Sequence, residues 1–183
     1  MTLSKQTVVL GIDDAKIFQL TADDASSLTY DSAIDVPGIQ QIMLSPSFTE
    51  KGLKGDEKIM DYYIKLDLIQ WAFHSAKISL DVLAILEGGT ITSTGSTPNQ
   101  VHTYNVKDTS TPQYFKLEAK ASYSAGEVGD FHLKLYKCKA NNVDIEYSTQ
   151  SYAIVSASGL AIPTIHDGNI KDYIINETAA SIS

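Results

Sequence analysis

The residues able to do acid–base, nucleophilic or metal chemistry are sparse. The four histidines, His74, His102, His132 and His166, show no pairing at metal-ligand spacing, and no HExxH occurs. His74 and His132 fall on the polar side of strand-like alternations, which predicts surface or interface positions. His166-Asp167-Gly168 sets an imidazole beside a carboxylate, but Asp-Gly is a turn dipeptide and sequence neighbours seldom form one arm of a triad. The acidic pairs Asp13-Asp14 and Asp23-Asp24 lack EF-hand spacing and read as solvated turns. Gly126-Glu127-Val128-Gly129-Asp130 offers glycines without a lysine, and an acidic turn repels phosphate. Cys138 is the only cysteine, so no internal disulfide can form, and it reads as a small apolar strand residue. No GxSxG, GxGxxG or Walker loop is present. These residues assign no catalytic role, no cofactor and no metal, and the chain is expected not to be an enzyme.

The elements around these residues read mainly as β. Ala15 to Leu20 and Ile39 to Ser45 are strand candidates, the second entered through the turn dipeptide Pro37-Gly38. Residues 48–57 carry Lys51, Gly52, Lys54, Gly55 and Asp56 and predict a projecting loop or hairpin tip. From Tyr62 through Ile64, Leu66 and Leu68 the even positions are apolar; from Ile69 through Trp71 and Phe73 the odd ones are. Because side chains alternate faces strictly, that change of phase demands a bulge or a bend. Ser79 to Glu87 predicts the single helix, capped by Ser79 and stopped by Gly88-Gly89. Residues 90–99 read as a loop.

Phe115, Leu117, Ala119 and Ala121 alternate with Lys116, Glu118 and Lys120. Phe131, Leu133 and Leu135 alternate with His132 and Lys134 before the phase flips at Tyr136 and Cys138. Asn141-Asn142 predicts a turn, Ser151 to Ile162 a strand region, and 163–168 an irregular stretch. Ile170 to Ile175 is expected to dock and 176–183 to be weakly held. With no repeat or linker, residues 1–183 form one domain, with an N-terminal arm at about 1–12 and a C-terminal tail at about 170–183. The fold class is mostly β, two packed antiparallel sheets in a sandwich or barrel with one short flanking helix.

A 183-residue chain with 43% apolar and 20% charged residues can bury a real core. No apolar run is long enough to span a bilayer, and the N-terminal residues do not resemble a signal peptide, so cytoplasmic synthesis without membrane insertion is expected. The net charge of −8, with every basic residue a lysine, argues against nucleic-acid binding by phosphate neutralisation. What remains is interaction: sheet edges that seek another chain, with Trp71 and ten tyrosines as anchors.

The order of elements resembles the major tail proteins of long-tailed, non-contractile bacteriophages. The likeness runs through Gly11-Ile12-Asp13-Asp14-Ala15-Lys16-Ile17, Leu28-Thr29-Tyr30-Asp31, Ile34-Asp35-Val36-Pro37-Gly38-Ile39 and Leu44-Ser45-Pro46-Ser47. It continues in the polar loop, the long strand, the helix at Leu80 to Gly88, and the strand Phe131 to Lys139. The resemblance implies a virion structural protein, six copies per ring and rings stacked into a tube through which the genome passes without specific binding. It also implies a tape measure protein, a tail terminator and a distal tail protein as partners. On that reading Phe48, Glu50, Lys51, Lys54, Asp56 and Glu57 are candidates for contact between rings, and Asp61, Lys65, Asp67 and Glu118 for a channel wall. The alternatives are a β-sandwich binding module that recognises carbohydrate or protein, with Tyr62, Tyr63 and Trp71 as its aromatic site, and a small hydrolase using His132 or His166.

Overall fold

The computed structural model describes residues 6–56, 58–123, 129–149 and 151–182, and among the described residues the chain forms ten strands and one helix. The strands are β1 (Asp14–Asp23), β2 (Leu28–Asp35), β3 (Ile39–Gly55), β4 (Lys58–Ser75), β5 (Thr90–Thr94), β6 (Val101–Asn105), β7 (Phe115–Ser122), β8 (Asp130–Ser148), β9 (Ser151–Ala161) and β10 (Lys171–Asn176). The helix is α1 (Leu80–Glu87). Eight strands form one antiparallel sheet in the order β2-β1-β7-β8-β9-β4-β3, with β10 also on β8, while β5 and β6 form a separate hairpin.

The large sheet makes two layers because β8 is long enough to serve both. Its first half pairs with β7 and β10 (Leu133 with Ala119 and Tyr173), and its second half with β9 (Ala140 with Gly159). Strands β9 and β10 therefore lie end to end along one side of β8. The bonds Ile162 N–H to Lys137 O (3.0 Å) and Tyr136 N–H to Ile170 O (3.1 Å) mark the handover. In a flat sheet β7 and β4 would stand about 14 Å apart. Instead the rings of Trp71 on β4 and Phe115 on β7 meet edge to face, with centroids 5.5 Å apart. The sheet thus folds over itself into a β-sandwich, whose interior holds Ile17, Ile69, Trp71, Phe73, Phe115, Leu117, Leu135 and Cys138.

Both expected phase changes fall at bulges. In β4 the register passes from Leu68 opposite Ser47 to Leu66 opposite Phe48, leaving Asp67 as the extra residue. In β8 the step from Leu135 to Cys138 is matched by only two residues of β7. The helix also forms as expected: the Ser79 side chain accepts from the Val82 N–H, Gly88 closes it in the left-handed region, and Val82, Ile85 and Leu86 face the core.

Of the two readings of 48–57, loop or hairpin tip, the structure bears out the hairpin: β3 and β4 continue to Gly55 and Lys58 as a paired two-stranded arm whose facing backbone groups bond to each other. Two expectations are corrected. Thr90 to Thr94 is strand, paired with β6. Asn141-Asn142 is a register slip inside β8, not a turn. The last residues dock on the body, with Ile182 buried and the Ala180 N–H donating to Asp130. The fold is also not closed into a barrel, because β2 and β3 end the strand order.

Candidate functional site

Two half-sheets differ in what their outer faces offer. Strands β3, β4, β9 and the second half of β8 pair in rows: Met43 with Ala72, Ser158 and Asn142; Ser45 with Gln70, Leu160 and Lys139. The alternate row, Leu44, Trp71, Gly159 and Ala140, turns toward the core. The outer face is concave, an open hollow of about 750 Å³ walled by Met43, Ser45, Gln70, Ala72, Asn141, Ser158 and Leu160. Gly159 permits the close approach of β8 and the Trp71 ring behind this face, because a Cβ there would lie 2.1 Å from the Lys139 carbonyl and 2.6 Å from the Trp71 ring. At the far end of β8, Asp144 and Glu146 extend the same face.

Beyond the bulge the arm is amphipathic. On one side Phe48, Tyr62, Ile64 and Leu66 continue the core-facing row; Phe48, Tyr62 and Ile64 are 54%, 49% and 52% exposed. The Tyr62 hydroxyl donates to Glu50 on this side. On the other side, Thr49, Lys51, Asp61, Tyr63 and Lys65 continue the concave row, and Thr49 donates to Asp67. The structure therefore brings Asp61, Lys65 and Asp67 together on one exposed polar surface, contiguous with Gln70 and Ala72. Phe48, Glu50, Lys51, Lys54 and Asp56 share the arm, divided between its two sides and its tip; Glu57 lies outside the described residues.

Glu118 does not belong with them. It is fully buried on β7, where Lys134 (3.2 Å) and His132 (3.2 Å) approach one oxygen and Lys116 (3.3 Å) the other. Simple alternation read this face as solvent, yet the C-terminal residues reach over part of it, where Lys120 donates to the Ala180 carbonyl. His132 is likewise buried, against the expected surface position, with Asp130 3.2 Å from its second nitrogen. Burial alone would raise the Asp130 pKa, but donors from Asn176, Ala180, Lys120 and His132 outweigh it and bring it down to about 2. Lys116 is lowered as well, but by desolvation, which outweighs the Glu118 carboxylate beside it.

The remaining candidates are dispersed. The His166 backbone N–H donates to Asp23, while Asp167 accepts from Thr164 and Asn169, so no His166–Asp167 dyad forms. Asp23 is not a solvated turn residue; it holds Lys137 at 2.5 Å and the Ile165 N–H at 2.8 Å. Burial would raise its pKa, but these bonds lower it below the usual carboxylate range. His74 and His102 bond to Ser156 and Ser93. Cys138 is buried, and that burial drives its thiol pKa upward. Among the described residues no trio of His, Cys, Asp or Glu is placed to hold a metal ion. Trp71 is in the core while Tyr62 and Tyr63 point to opposite sides of the arm, so the aromatic site of a binding module is not assembled. Among the described residues no helix is long and apolar enough to cross a membrane.

No protein-family model matches the chain, and comparison with curated proteins finds no match either.

Sequence reasoning expected unpaired sheet edges without placing them: among the described residues β2 pairs only with β1, β3 only with β4, and residues 142–147 of β8 only with β9. Pro46 within β3 was the available signal, since a proline lacking its N–H is tolerated on an edge strand.

Proposed function

We propose that this chain is a structural subunit of a phage-type tail tube, closing into rings of six that stack around a channel. The observation that carries this reading is the four-stranded half-sheet with two unpaired edges, β3 on one side and the second half of β8 on the other. Adjacent strands within it are all antiparallel, so with four strands the two edges run in opposite directions. Copies related by rotation about an axis keep their strand directions. Edge β8 of one copy then meets edge β3 of the next antiparallel, and repetition closes a ring that leaves neither of these two edges free. The number six comes from the family resemblance.

The concave outer face suits the inside of such a ring. Its rows hold Gln, Ser, Asn, Ala, Met and Leu side chains with Lys139; Lys51 and Lys65 continue the face along the arm, and Asp61, Asp67, Asp144 and Glu146 outnumber these three lysines. A surface without clustered lysine or arginine gives DNA phosphates nothing to adhere to, which a delivery channel requires. The apolar side of the β3–β4 arm, left half-exposed by its own subunit, suits contact with a neighbouring copy. A tape measure protein inside and terminator and distal tail proteins at the ends are the partners this reading implies, and the virion is its location.

Cysteine cross-linking tests the ring directly. Ser45→Cys on β3 and Asp144→Cys on β8, with Cys138 buried, are joined by a short bis-maleimide. The double variant is expected to give a ladder of multiples ending at six, and each single variant no ladder. Monomer alone from the double variant would count against edge-to-edge closure.

A further inference from the structure

The C-terminal residues meet the body at one place outside the core. Asp130, fully buried at the start of β8, accepts the Ala180 N–H at 2.7 Å, and Lys120 on β7 donates to the Ala180 carbonyl at 2.8 Å. Lys120 and Asp130 stand 3.1 Å apart, so one ion pair grips both polar groups of one residue. His132 backs the clamp, its two nitrogens 3.2 Å from Asp130 and 3.2 Å from Glu118. The Asn176 side chain donates to the other Asp130 oxygen at 2.7 Å, and Tyr123 donates to the Asn176 carbonyl at 2.8 Å.

We infer that residues 177–182 are a detachable strap, latched by the Lys120–Asp130 pair and able to leave the body as a unit without opening the core. Residues 177–181 are exposed, and Ile182 is the one buried side chain among them. Ile182 does not belong to the sandwich's core cluster, which includes Ile170 from the preceding loop. Removing the strap therefore takes away one apolar contact and one peptide grip, while β10 stays paired with β8 from Lys171 to Asn176. Ordering six residues for so few contacts is costly, which leaves the latch as the deciding interaction. The clamp also depends on a close approach at Gly129, where a Cβ would lie 2.1 Å from the Asn176 carbonyl and 3.0 Å from that of Glu177. Nothing in this inference requires the ring reading, since it concerns the single subunit.

Amide hydrogen exchange on the full chain at neutral pH tests it. Asp130→Asn removes the ion pair but keeps an oxygen acceptor; Gly129→Ala keeps every charge but obstructs the approach. In either variant that folds, exchange of the Ala180 amide, which Asp130 holds, is expected to rise at least tenfold more than that of the β4 and β9 amides. Unchanged exchange of the Ala180 amide would overturn the inference. So would an equal loss of protection in β7, β8, the core and the strap.

Discussion

Replacing Phe48 and Ile64 by serine strips the arm's apolar side while leaving its ladder intact. Each side chain is about half exposed in the single subunit, at 54% and 52%, and neither belongs to the core cluster. Full burial of such a side chain stabilises by about 1.5–3 kcal/mol, so a neighbour that covers the exposed half gains about 1 kcal/mol from each. The pair then contributes about 2 kcal/mol to every contact between copies, equivalent to roughly a 30-fold change in affinity. By the same reckoning the buried halves cost the subunit about 1 kcal/mol each, about 2 kcal/mol in all. Sedimentation across a concentration series reads the threshold for assembly, and thermal melting reads the fold. The account predicts a threshold about 30-fold higher with a melting temperature lowered by roughly 4–8 °C. An unchanged threshold in a folded double variant would refute the assignment of this surface to contact between copies.

Other outcomes follow from the same geometry. Gly159→Ala forces a Cβ against the Lys139 carbonyl and the Trp71 ring and is expected to cost about 3 kcal/mol in urea unfolding, with a red-shifted tryptophan emission. Ser79→Ala removes the cap of α1 and is expected to cost about 1 kcal/mol in the same assay. Asp130 has a folded pKa of about 2 against an ordinary value of 3.8, so its contribution is fully present above pH 4 and is lost as pH falls toward 2. That contribution is on the order of 2 kcal/mol, and Asp130→Asn is expected to flatten this acid limb of the stability profile. Assemblies of the Asp61→Lys, Asp67→Lys variant are expected to retain DNA at low salt where the unaltered protein does not, as read by filter binding; equal retention would remove these carboxylates from the channel wall.

Particular residues show how far the sequence could be read. Ser79 and Gly88 bounded the helix because capping is local chemistry. The flips at Ile69 and Tyr136 located both bulges because strand alternation admits no other local explanation. The arm was read as a loop or hairpin tip because Gly52, Gly55 and the lysines are turn-type residues, whereas the length of its pairing with β4 is a contact between strands. Glu118 and His132 were placed on the surface because period-two alternation says which side of a strand a residue occupies, not whether a later segment covers that side. The cover here comes from residues some 40 to 60 positions downstream, the sort of long-range contact that local patterning does not encode. The free edges, on which the proposed function depends, likewise exist only once the strand order is known.

Electron microscopy of negatively stained purified protein over rising concentration tests the central claim most directly. The account predicts rings of six copies with an open centre, stacking end to end into hollow tubes. Single subunits with unassociated sheet edges, persisting to the highest concentration, would contradict it.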